Sequence, residues 1–330
     1  MKPAVAGGGL PIHPPIQVIL GPCDDMRAEV FVRVAGPDVP RASPRLAGEL
    51  AGPECRRSLT LPAGAALADL GPGAAGLLAK AVLTEPAFWT PELPNLYRLT
   101  ARLVADGQTV AETTRRIGLR RSGARGRSLW LEGRRWVPRG VACESQACDM
   151  KAMEEAGAAA MVVDPAEPFL AAADEAGMAV IAVAETADGR SLAPAEIVAR
   201  IARWAMHPAA VITLLPRSIT AAEVAALAAE ARRLKGTMLL ARTVDGASPP
   251  PITVAAGIDG VCVALDHTGR PHDAWREGAP AVPLIAWQHG GEGAERSRAA
   301  CDRLQAALAA WGIAAGRTLQ PWDWAGYIVS

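Results

Sequence analysis

Apolar and polar positions divide this chain into two stretches with different periods. From Ile16 to about Leu119 the apolar residues come in short runs, IQVIL, AEVFVRVAG and RRSLTL, separated by Pro, Asp and Gly, as strands bounded by turns would be. The clearest element is a hairpin. Tyr97, Leu99, Ala101 and Leu103 alternate with polar neighbours, Asp106-Gly107 supplies the turn, and Thr109 to Ile117 returns. Roughly 100 residues of such short strands predict a small β-sandwich of the immunoglobulin-like kind.

Beyond the polar joint SGARGRS at 122–128 the period changes, and strands alternate with helices. WVPRGVA, AAAMVVD, MAVIAVAE, AAVITLLP, TMLLARTVD, GVCVALD, VPLIAWQ and TLQPWDW read as strands. DMKAMEEAG, PFLAAADEAG and APAEIVARIARWAMH read as helices, as do Thr220 to Gly236, where Glu223 completes a capping box, and about Glu292 to Trp311. Eight strands in this alternation predict a (β/α)8 barrel of TIM type, at the short end of its size range. An open doubly wound sheet is the alternative, but no GxGxxG follows the first strand.

The predicted division is a disordered tail at 1–15, a sandwich at 16–125 and a compact barrel at 126–330. After TLQPWDW only AGYIVS remains, too short for the eighth helix that closes such a ring over strands eight and one. Apolar surface there is expected to be covered by a second copy, a partner chain or the tail.

Composition narrows the function classes. The 330 residues carry 34 basic and 34 acidic side chains, so no global field favours nucleic acid or an anionic membrane surface. The opening MKPAVAGGGLPIHPP lacks the apolar core of a secretory signal, and no apolar run is long enough to span a bilayer, so a soluble, cytoplasmic protein is expected. Six cysteines are scattered without CxxC pairs, which predicts buried free thiols and neither a metal site nor a cofactor.

The junction of the two stretches, FWTPELPNLYRLTARLV followed by LWLEGRRWVPRGVACES, resembles glycoside hydrolase family 2, the β-galactosidase and β-glucuronidase relatives. Trp89, Pro91, Pro94, Leu96 and Tyr97 match the family's W-x-P-x-x-P-x-L-Y, and Leu131, Gly133, Arg139, Gly140 and Val141 match the opening of its barrel. ADEAGMAVIAVAE and MHPAAVITLL are similar to later family segments. The resemblance implies an immunoglobulin-like domain, a TIM barrel, and retaining hydrolysis of β-glycosides by two carboxylates, an acid/base after strand four and a nucleophile after strand seven. Retention needs those carboxyl groups about 5 Å apart.

Matched residue by residue, the carboxylates are missing. The acid/base position falls on Ser218, whose hydroxyl has no pKa suited to protonating a leaving group. In PLIAWQHGG the nucleophile position falls on Gln288, a neutral amide. The family's Arg-and-His motif after strand two falls near Ala159 to Pro165, and its Asp-Glu-Ala-Asn after strand three becomes Ala182-Val183-Ala184-Glu185. Asn95 is the only asparagine of the chain and precedes the barrel, so no shift of register restores an Asn-Glu pair.

Reading strand ends alone puts Glu144, Asp164, Glu185, Asp245, Asp266, His267, Trp287, Gln288, His289 and Asp323 at the barrel mouth. The ordinary use of acids there is to cap helices or pair with arginines such as Arg139 and Arg242; His272 reads as a loop residue and Gly290 to Gly293 as a turn. Trp287, Trp322 and Trp324 read equally as platforms for a sugar ring or as packing. Two functions remain: a catalytically silent relative that binds a carbohydrate or a protein partner, or a divergent glycosidase using Glu185, Asp266 or Asp323.

Overall fold

The structure, a computed structural model, describes residues 16–34, 44–73, 76–186, 188, 190, 192–232, 234–290, 295–313 and 323–330; the predicted tail at 1–15 lies outside them. The described residues fall into two compact units, one drawn from 1–53, 61–86 and 97–117 and the other from 54–60, 87–96 and 118–330. Among the described residues no helix is long and apolar enough to cross a membrane.

The first unit is an immunoglobulin-like β-sandwich. Its strands are β1 (Ile16–Cys23), β2 (Arg27–Val34), β3 (Arg45–Glu54), β4 (Ala63–Ala66), β5 (Ala68–Gly73), β6 (Gly76–Thr84), β7 (Leu96–Ala105) and β8 (Gln108–Ile117). They form two antiparallel sheets ordered β1-β2-β6-β5 and β4-β3-β7-β8. Alternation sets the inner faces, with Leu77, Ala79, Ala81 and Leu83 buried on β6 and Leu99, Ala101 and Leu103 on β7. The predicted hairpin is present, closed at Ala105 and Gln108 by Asp106 and Gly107, both at positive φ as a tight hairpin turn requires.

RRSLTL is not a strand. It pairs with no neighbour, and Leu59 and Leu61 are fully exposed. Its alternation is a surface pattern, and Arg57 is the anchored residue, donating to the carbonyls of Pro91 (2.6 Å) and Ala176 (2.7 Å).

The second unit is a closed barrel of eight parallel strands: β12 (Arg139–Ala142), β13 (Ala159–Val163), β14 (Val180–Val183), β15 (Ala210–Leu215), β16 (Leu239–Asp245), β17 (Gly260–Leu265), β18 (Leu284–Gln288) and β19 (Trp324–Val329). Burial at every position of β15, β17 and β19 explains why these strands read as continuous apolar runs. Ahead of the barrel, the joint SGARGRS belongs to a small antiparallel sheet of β9 (Ser122–Arg125), β10 (Ser128–Leu131) and β11 (Arg134–Trp136). Gly140 on β12 sits where a Cβ would come within 2.9 Å of Ile328 and 3.0 Å of Ile181, so a larger residue would force those side chains to shift.

The helices are α1 (Met150–Ala156), α2 (Glu167–Ala176), α3 (Pro194–Trp204), α4 (Ala221–Ala231), α5 (Trp275–Gly278) and α6 (Arg298–Ile313). Strand eight corrects the sequence reading. It is WAGYIV, an apolar run buried at every position, while residues 318–322 of the predicted TLQPWDW lie outside the described residues. The surface over strands eight and one, expected to lie bare, is covered. Cys301, Leu304, Leu308 and Trp311 of α6 pack in one cluster with Val141 of β12 and Tyr327 and Val329 of β19. The Cys301 thiol donates to the Gly140 carbonyl at 3.2 Å, and Arg139 reaches Asp302 at 2.7 Å and also Gln305. Helix α6 therefore packs across the seam between β19 and β12.

Candidate functional site

The motif residues behind the family resemblance gather at the N-terminal end of the barrel, around one buried carboxylate. Asp174, near the end of α2, accepts from the Ala209 amide (2.8 Å) and lies 2.6 Å from His207 Nδ1. The other ring nitrogen of His207 is 3.1 Å from Glu167, and the Trp89 indole donates to the Asp174 carbonyl at 2.9 Å. Arg120 donates to the carbonyls of Pro208 and Ala210. Trp89, Arg120, Asp174 and His207 are all buried. Gly177 completes the cluster, capping α2 at φ 73°, with its α-carbon so close to Pro91 that a Cβ would lie 2.4 Å from that carbonyl.

Burial and neighbours set the charge states. Desolvation lowers the Arg120 pKa to about 10, countered in part by Asp174, so the guanidinium stays charged. For His207, burial opposes the charged form, but hydrogen bonds and charge from Asp174 and Glu167 outweigh it and raise the pKa. This is a structural network rather than an active site, since a barrel's chemistry belongs at the other face.

At that face a cavity of about 340 Å³ is lined by Glu185, Arg190, Pro216, Arg217, Ser218, Trp287 and His289. Glu185 follows β14, the Pro216-Arg217-Ser218 turn follows β15, and Trp287 and His289 come from the end of β18. Strand parity aims the tryptophan inward. Ile285 and Trp287 pack with the barrel interior, whereas Leu284 and Ala286 pack with α6. The Trp287 and His289 rings lie 4.3 Å apart, and the Trp287 indole donates to the Ser330 hydroxyl at 3.0 Å.

Arg217 lies 2.9 Å from His289 Nε2. A guanidinium only donates, so that nitrogen accepts and the imidazole is neutral. Burial, then the Arg217 charge, lowers the His289 pKa in agreement with this. With Glu185 ionised, the two arginines leave the described lining with one excess positive charge, and Glu185 is its one carboxylate.

The remaining predicted site residues are placed elsewhere or already engaged. By the same parity Gln288 turns outward, donating to the His267 carbonyl at 2.8 Å and lining a separate groove with Glu295, Arg303 and Leu304. Asp164 holds Arg200 through both oxygens (2.9 and 2.8 Å). Asp266 is bound by the Thr268 hydroxyl and amide, and the hydroxyl bond lowers its pKa. Asp245 closes its own turn through the Ala247 amide at 3.1 Å, and His272 accepts from Ala274 at 3.1 Å. Glu144 is exposed.

Asp323 is not at the mouth. It precedes β19 at the N-terminal end of the barrel and pairs with Arg127 at 2.9 Å, a displacement that follows from the true position of strand eight. Trp324 is a buried packing residue there; Trp322 and Gly291 to Gly293 lie outside the described residues. Arg190 carries no signal in the sequence motifs, whereas Pro216 and Arg217 stand beside Ser218 in the matched one. Arg217 precedes Ser218 in the matched motif, so its position was legible even though its role was not. Among the described residues no group of His, Cys, Asp and Glu could hold a metal ion.

Residues 60–120 match the family model described as "Glycosyl hydrolases family 2". No curated protein sequence matches the chain. Among solved structures, it is similar to a glycosyl hydrolase family 2 member from Bacteroides cellulosilyticus (16% identity, TM-score 0.64), covering 95% of this chain and 44% of that one. It is also similar to a β-glucuronidase from Ruminococcus gnavus (13% identity, TM-score 0.61; 95% of this chain, 60% of that one). A third is the β-D-glucuronidase of Dictyoglomus thermophilum (14%, TM-score 0.59; 95% and 61%). The chain thus spans about half the length of these neighbours. The resemblance to glycoside hydrolase family 2 holds in sequence over residues 60–120 and in fold over most of the chain.

Proposed function

We propose that this chain is a saccharide-binding relative of family 2 glycosidases that does not perform retaining hydrolysis. The carrying observation is the mouth cavity, with one carboxylate, Glu185, in its described lining. Retaining chemistry needs two, one to protonate the leaving oxygen and one to attack the anomeric carbon. Ser218 occupies the matched acid/base position, and Gln288, at the matched nucleophile position, directs its amide at a backbone carbonyl.

The cavity is suited to binding. Trp287 offers an aromatic face for a sugar ring, the neutral His289 offers polar edges, and Arg190 and Arg217 favour a sugar bearing an acidic group. Titration with uronic acids and neutral sugars, followed by tryptophan fluorescence, is expected to show binding that favours the acidic sugar. Arg217→Ala should weaken it about tenfold or more, as loss of a charge-assisted hydrogen bond does.

The second reading, a divergent glycosidase, draws on Glu185 alone. Incubation with a panel of activated aryl β-glycosides separates the two. Turnover by the purified protein that disappears in Glu185→Gln would establish the glycosidase and end the silent reading. The protein-partner form of the silent reading now rests on no uncovered seam and takes second place to the cavity.

A further inference from the structure

The scattered cysteines of the sequence include two that the fold brings together. Cys143 continues the edge of β12, its amide donating to the Met161 carbonyl at 3.0 Å, and Cys148 immediately precedes Asp149, the residue that caps α1. Between them Glu144 to Ala147 form a turn, closed by the Ala147 amide on the Glu144 carbonyl at 3.0 Å. A turn of this kind returns the chain beside itself, so the two flanking side chains meet. Their sulfur atoms are 2.8 Å apart, and both residues are partly accessible. Cys262 and Cys301, by contrast, are fully buried.

We propose that Cys143 and Cys148 form a reversible dithiol–disulfide pair at the mouth end of the first barrel strand, oxidised by low-molecular-weight disulfides such as oxidised glutathione. The thiolate of Cys148 attacks one sulfur of the oxidant and expels the first thiolate, leaving a mixed disulfide. Cys143 loses its proton to solvent, attacks the Cys148 sulfur and expels the second thiolate. Two protein thiols are oxidised to one disulfide while one small disulfide is reduced to two thiols.

The contact between the two sulfurs makes their roles unequal. The Cys143 thiol donates to the Cys148 sulfur, which holds Cys148 below the ordinary thiol range and Cys143 above it. Cys148 is therefore the attacking sulfur and Cys143 the resolving one. Bond formation requires the sulfurs to approach from 2.8 Å to about 2 Å.

The test uses the whole chain, reduced and then equilibrated with oxidised glutathione. One tryptic peptide, GVACESQACDMK at 140–151, contains both cysteines. It is expected to lose the mass of two hydrogens and to carry no glutathione. In Cys143→Ser the attacking thiol remains without its resolving partner and should accumulate as a glutathione adduct at Cys148; in Cys148→Ser much less adduct should form at Cys143. Recovery of the wild-type peptide with both thiols intact, with two glutathiones attached, or joined to another cysteine peptide would overturn the proposal. Because the main readout is on the unmodified protein, a poorly folding variant leaves it decidable.

Discussion

The two ends of the barrel differ in how their polar groups are used. At the N-terminal end Asp174, His207, Trp89 and Arg120 are buried and bound to one another or to backbone. At the C-terminal end Glu185, Arg190, Arg217 and His289 line a cavity, while most rim acids close local turns or hold one arginine. The polar groups at the first end hold the fold together, whereas those at the second leave room for a ligand.

That contrast can be broken most forcefully at the floor. Asp174→Ala or Arg120→Ala removes one member of a buried charged network and should cost about 3–5 kcal/mol of barrel stability, read by chemical denaturation. A cost near that of a surface substitution would show that the network is dispensable. Gly177→Ala combines positive φ with contact against the Pro91 carbonyl and should cost about 1–3 kcal/mol, with the fold retained.

His207 gives the floor a pH signature. Its pKa is raised in the folded state, so its stabilising contribution is fully present below the ordinary histidine value of about 6.5 and is lost as pH rises through the folded value. The groups facing it are Asp174 and Glu167, with the Arg120 charge acting on Asp174. Barrel stability should therefore decline toward alkaline pH over that window, and Asp174→Asn should flatten the decline.

At the mouth the effects on stability shrink. Glu185→Gln and Ser218→Glu should each change it by less than about 0.5 kcal/mol, because neither removes core packing. A Ser218→Glu, Gln288→Glu double variant restores the family's residue types but should gain no glycosidase activity, since position 288 faces α6. Turnover of an activated aryl β-glycoside by that variant would show that the strand end can rotate into the cavity.

Much of this was readable from the chain. Seven apolar runs in alternation with helices specified seven of the barrel's eight strands, and the Asp106-Gly107 turn specified the hairpin. What escaped reading depends on a single residue of offset or on distant pairing. Whether position 287 or 288 enters the cavity is a matter of strand parity, which an alignment of motifs does not weigh. Strand eight begins only at Trp324, so Asp323 lies before it at the N-terminal end of the barrel and not after it at the mouth. The Cys143–Cys148 encounter needed the turn between them, and the closure by α6 needed the crossing of a helix over strands far from it in sequence.

The seam beneath α6 also orders the history of each molecule. Strand β12 begins at Arg139, and its parallel neighbour β19 begins only at Trp324, so the hydrogen bonds that complete the ring join segments made far apart in time on the ribosome. Until β19 emerges, the first strand has an open edge and the apolar side of α6 lacks half of its bed. The ring cannot close before β19 has been made.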